Sequence, residues 1–433
     1  MKRKYSSMKT FLPANLRAAL LLIALTALTS CGGGSAPQVG LPSSPPAGEV
    51  NSYVGQPGDT PSDNSLWGVT INRSQNTYSY GPTSAGTAAT SGSMAVLNNN
   101  FIILLGPNGY QSGLAVEVPG QAVILRPGDS SAPLVFAVQQ PSCFSIGGNV
   151  KFLYALSPGL NGPSNPFFGE IYAATSSDGG NWQFNNQQNF VSPYQFLVAE
   201  GTNVPPDAEV PGYPADYSAS CNAAQGAATV SATPLAYFNE GTNTYPVPTQ
   251  FVISPGGIFF ENQNYTNVPP TELWQYQNVS AWGVSEPAEA LLLGDVATAS
   301  YIGFLFEYDV SASMFRTRLV GFGNAPISGT AMNGGTYPNE DPTQLPTINM
   351  SVTFNSQDPL NNGMYYLAQL TIPNDAPSTF TGSCLSYGIS QAGNSTCTND
   401  GVAMVGQQNG LYTIIMSTSD AVGDQQTLVL FQQ

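Results

Sequence analysis

Tyr301-Ile302-Gly303-Phe304-Leu305-Phe306-Glu307-Tyr308 is the stretch that decides the fold class. Ile302, Phe304, Phe306 and Tyr308 fall on one side of an extended chain, and Tyr301, Gly303, Leu305 and Glu307 on the other, an alternation that suits a strand. The first set is the better core face. The next apolar run, Met314–Val320, sends Arg316 and Arg318 to a common side. Glu307 is therefore expected to pair with one of them across a hairpin, as an ion pair on a sheet surface.

Hairpin signals recur on both sides of this stretch. Met94–Leu97 and Phe101–Leu105 flank three asparagines, Leu114–Val118 and Gln121–Arg126 flank Pro119-Gly120, and Gln250–Ile253 and Ile258–Glu261 enclose Ser254-Pro255-Gly256-Gly257. Met404–Gln408 and Leu411–Met416 enclose Asn409-Gly410, the pair best suited to a type I′ turn. Charged residues make up only 8% of the chain, too few for the salt-bridged faces of a helical protein. The single helix candidate is the short Pro287–Leu293. The chain thus reads as all-β, with antiparallel sandwich or barrel domains, two in number; sandwich and barrel give the same pattern. Trp67-Gly68-Val69 and Trp282-Gly283-Val284 share a tripeptide, which fits a duplicated β unit or chance.

The N-terminus is of another kind. Lys2, Arg3, Lys4, Lys9 and Arg17 precede an apolar run, Ala18–Leu28, too short to span a bilayer, and the run ends in Leu28-Thr29-Ser30-Cys31. This resembles the lipobox signal of bacterial lipoproteins. The resemblance implies cleavage before Cys31, a diacylglyceryl group on its sulfur and often acylation of the new amine, which together anchor a protein stably at a membrane. Gly32, where an inner-membrane lipoprotein tends to carry Asp, favours the outer membrane. The expected organisation is a signal peptide over 1–30, a Gly/Pro/Ser-rich tether over 31–65, a β domain over 66–280 and a second over 281–433.

Counted from Cys31, Arg73, Arg126, Lys151, Arg316 and Arg318 are the five remaining cations, against all 26 acids, a balance of −21. Such a surface repels phosphate backbones and anionic headgroups, so nucleic acid is an improbable partner and membrane attachment falls to the lipid. Four cysteines follow the lipidated one: Cys143, Cys221, Cys384 and Cys397. In an exported protein they suggest disulfides, with the sequence-local pairing Cys143–Cys221 and Cys384–Cys397 favoured over the other two, and buried free thiols as the alternative. No metal site is expected from them, since there is no C-x-x-C and no histidine.

The absence of histidine excludes Ser-His-Asp and Cys-His catalysis and His-ligated zinc or haem within this chain. A Schiff-base or Ser-Lys mechanism would have to pass through Lys151, and no nucleotide-binding or cofactor motif is present, so no cofactor is expected. Carboxylates remain: Asp207 and Glu209; Glu286, Glu289 and Asp295; and Glu340-Asp341. Two acids at the right separation hydrolyse glycosidic bonds, though acids in loops are more often simply solvated, and calcium on Asp207, Glu209 or Asp216 lacks a spaced ligand loop. Ser176–Trp182 is similar to the Asp-box turn of sialidase-like propellers; as a single copy it reads as one hairpin turn. Tyr265, Trp274, Tyr276 and Trp282 lie among Asn and Gln and suit a sugar-stacking platform, or else a β core.

The function expected from the sequence is a non-enzymatic, lipid-anchored envelope protein that binds a glycan, cell-wall polymer or envelope protein. The alternative is a polysaccharide hydrolase using paired carboxylates.

Overall fold

The alternation in 301–308 is built into a closed ring. The computed structural model describes residues 50–57, 66–83, 89–97, 100–128, 134–139, 144–147, 150–156, 168–175, 181–189, 211–222, 227–230, 237–240, 243–246, 249–264, 278–309, 314–328, 330–358, 362–374, 396–408, 410–419 and 425–433. They fall within one compact unit, Pro37–Gln433, and form three successive antiparallel barrels.

Barrel I is a meander of β1 (Val50–Pro57), β2 (Trp67–Asn72), β3 (Thr77–Pro82), β4 (Thr90–Leu97), β5 (Phe101–Leu105), β6 (Gln111–Val118), β7 (Ala122–Pro127) and β8 (Val135–Gln139), closed by β1 on β8. Barrel II comprises β9 (Val150–Leu156), β10 (Phe168–Thr175), β11 (Asn181–Asn189), β12 (Pro211–Asn222), β13 (Ala227–Val230), β16 (Thr249–Ile253), β17 (Ile258–Asn264) and β18 (Asn278–Ser285), closed by β18 on β9. The hairpin of β14 (Tyr237–Glu240) and β15 (Asn243–Pro246) stands apart as a two-stranded sheet.

The third sheet contains β19 (Tyr301–Asp309), β20 (Met314–Ser328), β21 (Ala331–Thr336), β22 (Met350–Thr353), β23 (Ser356–Gln357), β24 (Met364–Pro373), β25 (Thr396–Gln408), β26 (Leu411–Ser419) and β27 (Gln425–Gln432). Strand β22 pairs with β24 as well as β21, so this ladder also returns on itself. β22 and β23 run along β24 in one unbroken register and act as one strand, giving barrel III eight staves like the others. A short helix, α1 (Leu293–Thr298), precedes it, and its Val296 and Ala297 join the barrel's apolar filling.

All four expected hairpins form, as β4–β5, β6–β7, β16–β17 and β25–β26. Strands β10 and β11 likewise flank the Asp-box-like turn, with Thr175 opposite Trp182. The open choice between sandwich and barrel resolves to barrels.

Several expectations are corrected. Val50–Pro57, assigned to the tether, pairs with both β2 and β8, because its alternating residues complete barrel I. The span 66–280 holds two barrels rather than one domain, and residue 281 lies inside β18. The helix sits at Leu293–Thr298, just beyond Pro287–Leu293. The two Trp-Gly-Val tripeptides occupy the second strand of barrel I and the last of barrel II, which are not equivalent places.

Burial follows a two-sided logic. Tyr53, Val69, Ile71, Tyr78, Ile102, Leu104, Ala115, Val123, Leu125 and Val135 fill the interior of barrel I, and Tyr301, Leu305, Val320, Tyr365, Leu370, Ile414 and Leu428 do so in barrel III. The opposite faces are buried too. Phe101, Val116, Ile124 and Phe136 of barrel I, Leu153, Phe260 and Trp282 of barrel II, and Phe304, Phe306, Val429 and Phe431 of barrel III form one continuous core between the barrels. This is why every residue of β19 is buried, and why Ile302, Phe304, Phe306 and Tyr308 face neighbouring barrels, not the interior of their own. Gly303 has to lack a side chain, since a Cβ there would lie 1.9 Å from the Val429 carbonyl oxygen.

Candidate functional site

All five cations after Cys31 are engaged with carboxylates. In barrel I, Arg73 binds Glu117 Oε2 through Nε (3.0 Å) and Nη2 (2.5 Å), while Asn51 and Tyr53 donate to Oε1 at 2.9 and 2.5 Å. Burial, reinforced by the Glu117 charge, pushes the Tyr53 hydroxyl well above the ordinary phenol range. In barrel III, Glu307 is fully buried and takes both arginines: Arg316 Nε and Arg318 Nε each lie 2.8 Å from Oε2. Burial alone would raise the Glu307 pKa, but Arg318 and Arg316 outweigh it and hold the carboxyl below its usual value. The expected surface pair is therefore a buried triad, because the second face of β19 points into a filled barrel.

The other two pairs tie barrels together. Lys151 of β9 lies 3.2 Å from Glu286 Oε2, and Glu286 Oε1 also accepts the backbone N–H of Asn362 in barrel III at 2.7 Å. Gly363 beside it has φ +76°, and a Cβ there would meet the Val405 carbonyl oxygen at 2.3 Å and Pro287 at 3.0 Å. Arg126 of barrel I, wholly buried, binds Glu340 of barrel III through Nη1–Oε1 and Nη2–Oε2, both 2.5 Å, and its Nη1 lies 3.3 Å from the Thr317 carbonyl.

Glu340 is carried by a strap, residues 337–349, between β21 and β22. Pro338 cannot continue the ladder as a donor, so β21 stops, and a 3-10 turn over Pro338–Glu340 follows. Asn339 and Glu340 both adopt left-handed backbone, with φ +53° and +55°, a conformation costly for glutamate. Asp341 then ties the strap by accepting from Thr343 N–H (3.0 Å), Thr343 Oγ1 (2.6 Å) and Gln344 Nε2 (2.9 Å). Two aliphatic side chains on this strap face outward, Leu345 at 85% exposure and Ile348 at 61%.

The sequence-derived candidates fare unevenly. Trp282 is buried and stacked on Phe136 of barrel I, with ring centroids 4.7 Å apart, so it presents no face to a sugar and serves the inter-barrel core. Tyr265, Trp274 and Tyr276 lie outside the described residues, as do Cys31, Cys143, Cys384, Asp207 and Glu209. Cys221 falls in β12 without a described side chain, as does Asp216, and Cys397 is buried and disulfide-bonded. Glu286 and Lys151 are occupied by each other, while Glu289 and Asp295 are exposed. Glu117 and Arg126 were missed by sequence reasoning. Their signal was a lone charge at the end of an apolar run, Leu114–Val118 and Ala122–Leu125, in a chain with few cations to spare.

No family model matches the chain, and no curated protein does. Among solved structures it is similar to the isotype 1 transferrin binding protein B of serogroup B Neisseria meningitidis, at 8% identity and a TM-score of 0.28, covering 85% of this chain and 64% of that one. It is also similar to a mutant transferrin binding protein B of Haemophilus parasuis Hp5, at 8% identity and 0.26, covering 91% and 78%. The chain thus spans under two thirds of the first. Likeness at this level assigns neither function nor partner. Among the described residues no helix is long and apolar enough to cross a membrane, which says nothing of strands.

Proposed function

We propose that the chain is a lipid-anchored envelope protein that acts by binding through its outer surface, with another envelope or extracellular protein as partner and a glycan as the second candidate. The observation that carries this is the commitment of all five mature cations to structural ion pairs. With barrels I and III filled by side chains, recognition falls to what the outside displays. Exposed apolar groups on an ordered strap, Leu345 and Ile348, are the best protein-contact candidates among the described residues. A partner with a neutral or basic surface fits the balance of −21.

In this reading Cys31 carries the lipid, the protein faces the outer membrane, and Cys143, Cys221, Cys384 and Cys397 form the two sequence-local disulfides. Tyr265, Trp274 and Tyr276 are the residues for a glycan. Two measurements test the reading. Radiolabelled palmitate should enter the full chain and be lost in Cys31→Ala. A photoreactive residue in place of Leu345 should give a discrete adduct with one envelope protein in intact cells. Absence of label overturns the anchor, and absence of any adduct overturns the strap as contact surface.

A further inference from the structure

One end of barrel I is built from aromatic rings. Val69, Ile71 and Tyr78 fill its interior, with Trp67 and Tyr80 packed against them, and Val69 pairs with Tyr80 and Ile71 with Tyr78. Trp67 opens β2, so it stands nearest the mouth. From the interior outwards, Tyr78, Tyr80 and Trp67 form a near-parallel file: ring centroids are 6.0 Å apart at each step, with interplanar angles of 9° and 14°. Tyr78 is buried, whereas Tyr80 and Trp67 stay half-buried. Among the described residues no fourth ring extends the file beyond Trp67.

The file is held at every step. The Tyr78 hydroxyl lies 3.0 Å from Ser112 Oγ and 3.4 Å from the Leu105 carbonyl oxygen, which ties its inner end across the barrel. A Cβ on Gly92 would come within 2.9 Å of that hydroxyl, so β4 carries no side chain where the ring passes. Thr90, opposite Tyr80 in β4, hydrogen-bonds the Tyr80 hydroxyl. Beside Trp67, the Leu66 carbonyl accepts both the N–H and the hydroxyl of Thr83, at 2.7 and 2.8 Å, and pins the start of β2 to the chain leaving β3. Rings fixed in this way lose little further freedom when a ligand binds.

The outward residues of the same strands, Thr70, Ser79, Ser91 and Ser93, are exposed or half-buried, so solvent reaches this side of the barrel. Around the mouth the strand ends carry hydroxyls and amides, Thr83, Thr90, Asn108 and Gln111, all exposed. The one charge among the described residues of this end, Arg126, is wholly buried and bound to Glu340. A half-open aromatic face ringed by neutral hydrogen-bonding groups is complementary to a sugar, whose C–H face stacks while its hydroxyls donate and accept. An ionic ligand would find no counter-charge, and an aliphatic one would leave the rim groups unpaired. We propose that this end of barrel I binds a neutral glycan, with one sugar ring stacked on Trp67 and the rim hydroxyls and amides bonded to its hydroxyls. The inference rests on the glycan as partner and gives it a place other than Tyr265, Trp274 and Tyr276.

The test uses the full chain labelled with fluorotryptophan, whose four fluorine signals belong to Trp67, Trp182, Trp274 and Trp282. Hexasaccharides of glucose and of N-acetylglucosamine are the neutral probes, and hexagalacturonate is the anionic one. A neutral probe should move the Trp67 signal and leave the other three in place, while hexagalacturonate moves none. Trp67→Ala should weaken binding about tenfold, the worth of one stacked ring. Trp67→Phe, which keeps a ring in the file, should fall between that variant and the unaltered protein, and it decides the matter if Trp67→Ala fails to fold. A shift confined to Trp274 overturns this placement and leaves the glycan at the sequence-derived residues. No shift and no binding with either neutral probe overturns both. Equal response to hexagalacturonate, or unchanged affinity in the Trp67 variants, also overturns the proposal.

Discussion

Arg126 and Glu340, 214 positions apart in the chain, meet through two parallel hydrogen bonds of 2.5 Å and join barrel I to barrel III. Their surroundings differ: the arginine side chain is wholly buried and the glutamate one third exposed. The two single substitutions should therefore be unequal. Glu340→Ala strands a buried cation and should cost about 2–3 kcal/mol, below the roughly 3–5 kcal/mol of breaking a fully buried pair because water gains access. Arg126→Met keeps most of the buried volume and lets Glu340 turn to solvent, at a cost of about 1 kcal/mol or less. Urea unfolding midpoints of the two variants check the order; equal midpoints would contradict it.

Acid sensitivity should concentrate on barrel III. Glu307 titrates below its ordinary value in the folded protein, so unfolded chains bind the proton first as pH falls. Its contribution is complete above the unfolded carboxyl pKa of about 4.3 and declines as pH drops through the folded value. In Glu307→Gln this part of the acid dependence should vanish, which a pH series of thermal midpoints from neutral to strongly acid would reveal. The variant will also be less stable at neutral pH, with Arg316 and Arg318 left without their anion.

At the alkaline end the sign reverses. Burial raises the Tyr365 hydroxyl to about 12 and pushes Tyr301 higher still. A folded state that keeps the phenol proton longer than the unfolded chain loses stability as pH rises from about 10 to the folded value. The last tyrosinate absorbance to appear, that of the buried tyrosines, should therefore come together with unfolding in that window. Complete ionisation of all 21 tyrosines with the far-ultraviolet signal intact would contradict this.

Gly363→Ala should loosen the seam between barrels II and III. Its left-handed backbone, and the Val405 oxygen 2.3 Å from where the alanine methyl would sit, leave no room, and the strain is worth about 1–3 kcal/mol. A drop in thermal midpoint, with faster exchange at the Asn362 amide bound to Glu286, is the expected result.

The sequence made the hairpins legible because their turns are chemically marked: Asn409-Gly410 and Pro119-Gly120 leave the flanking strands little choice of partner. Barrel count was not legible. Strands buried on both faces, such as Ala122–Leu125, carry no outward polar face to show which side is interior, and ring closure by β1 on β8 or β19 on β27 joins residues remote in sequence. The same blindness misplaced Glu307. A charge on the alternate face of a strand reads as surface until a second barrel packs against the other side. Trp282 erred the opposite way, its Asn- and Gln-rich neighbours suggesting solvent where Phe136 waits. Arg126 and Glu340 were each visible as residues, and only the packing of two rings made them a pair.

Each ring closes through its own first and last strands: Val54 on Val138, Leu153 on Val284, and Tyr301 on Gln432. A chain emerging N-terminus first can complete barrel I and then barrel II without waiting for downstream sequence, and folding units of this kind form in order of synthesis. Until Gln425–Gln432 arrive, however, the third ring stays open, and the apolar flank of the first two, which shares one core with Phe304, Phe306, Val429 and Phe431, lacks its final cover. The order of emergence thus sets a moment of vulnerability: a stall late in synthesis leaves two finished barrels presenting a bare hydrophobic side to whatever chaperone stands nearby.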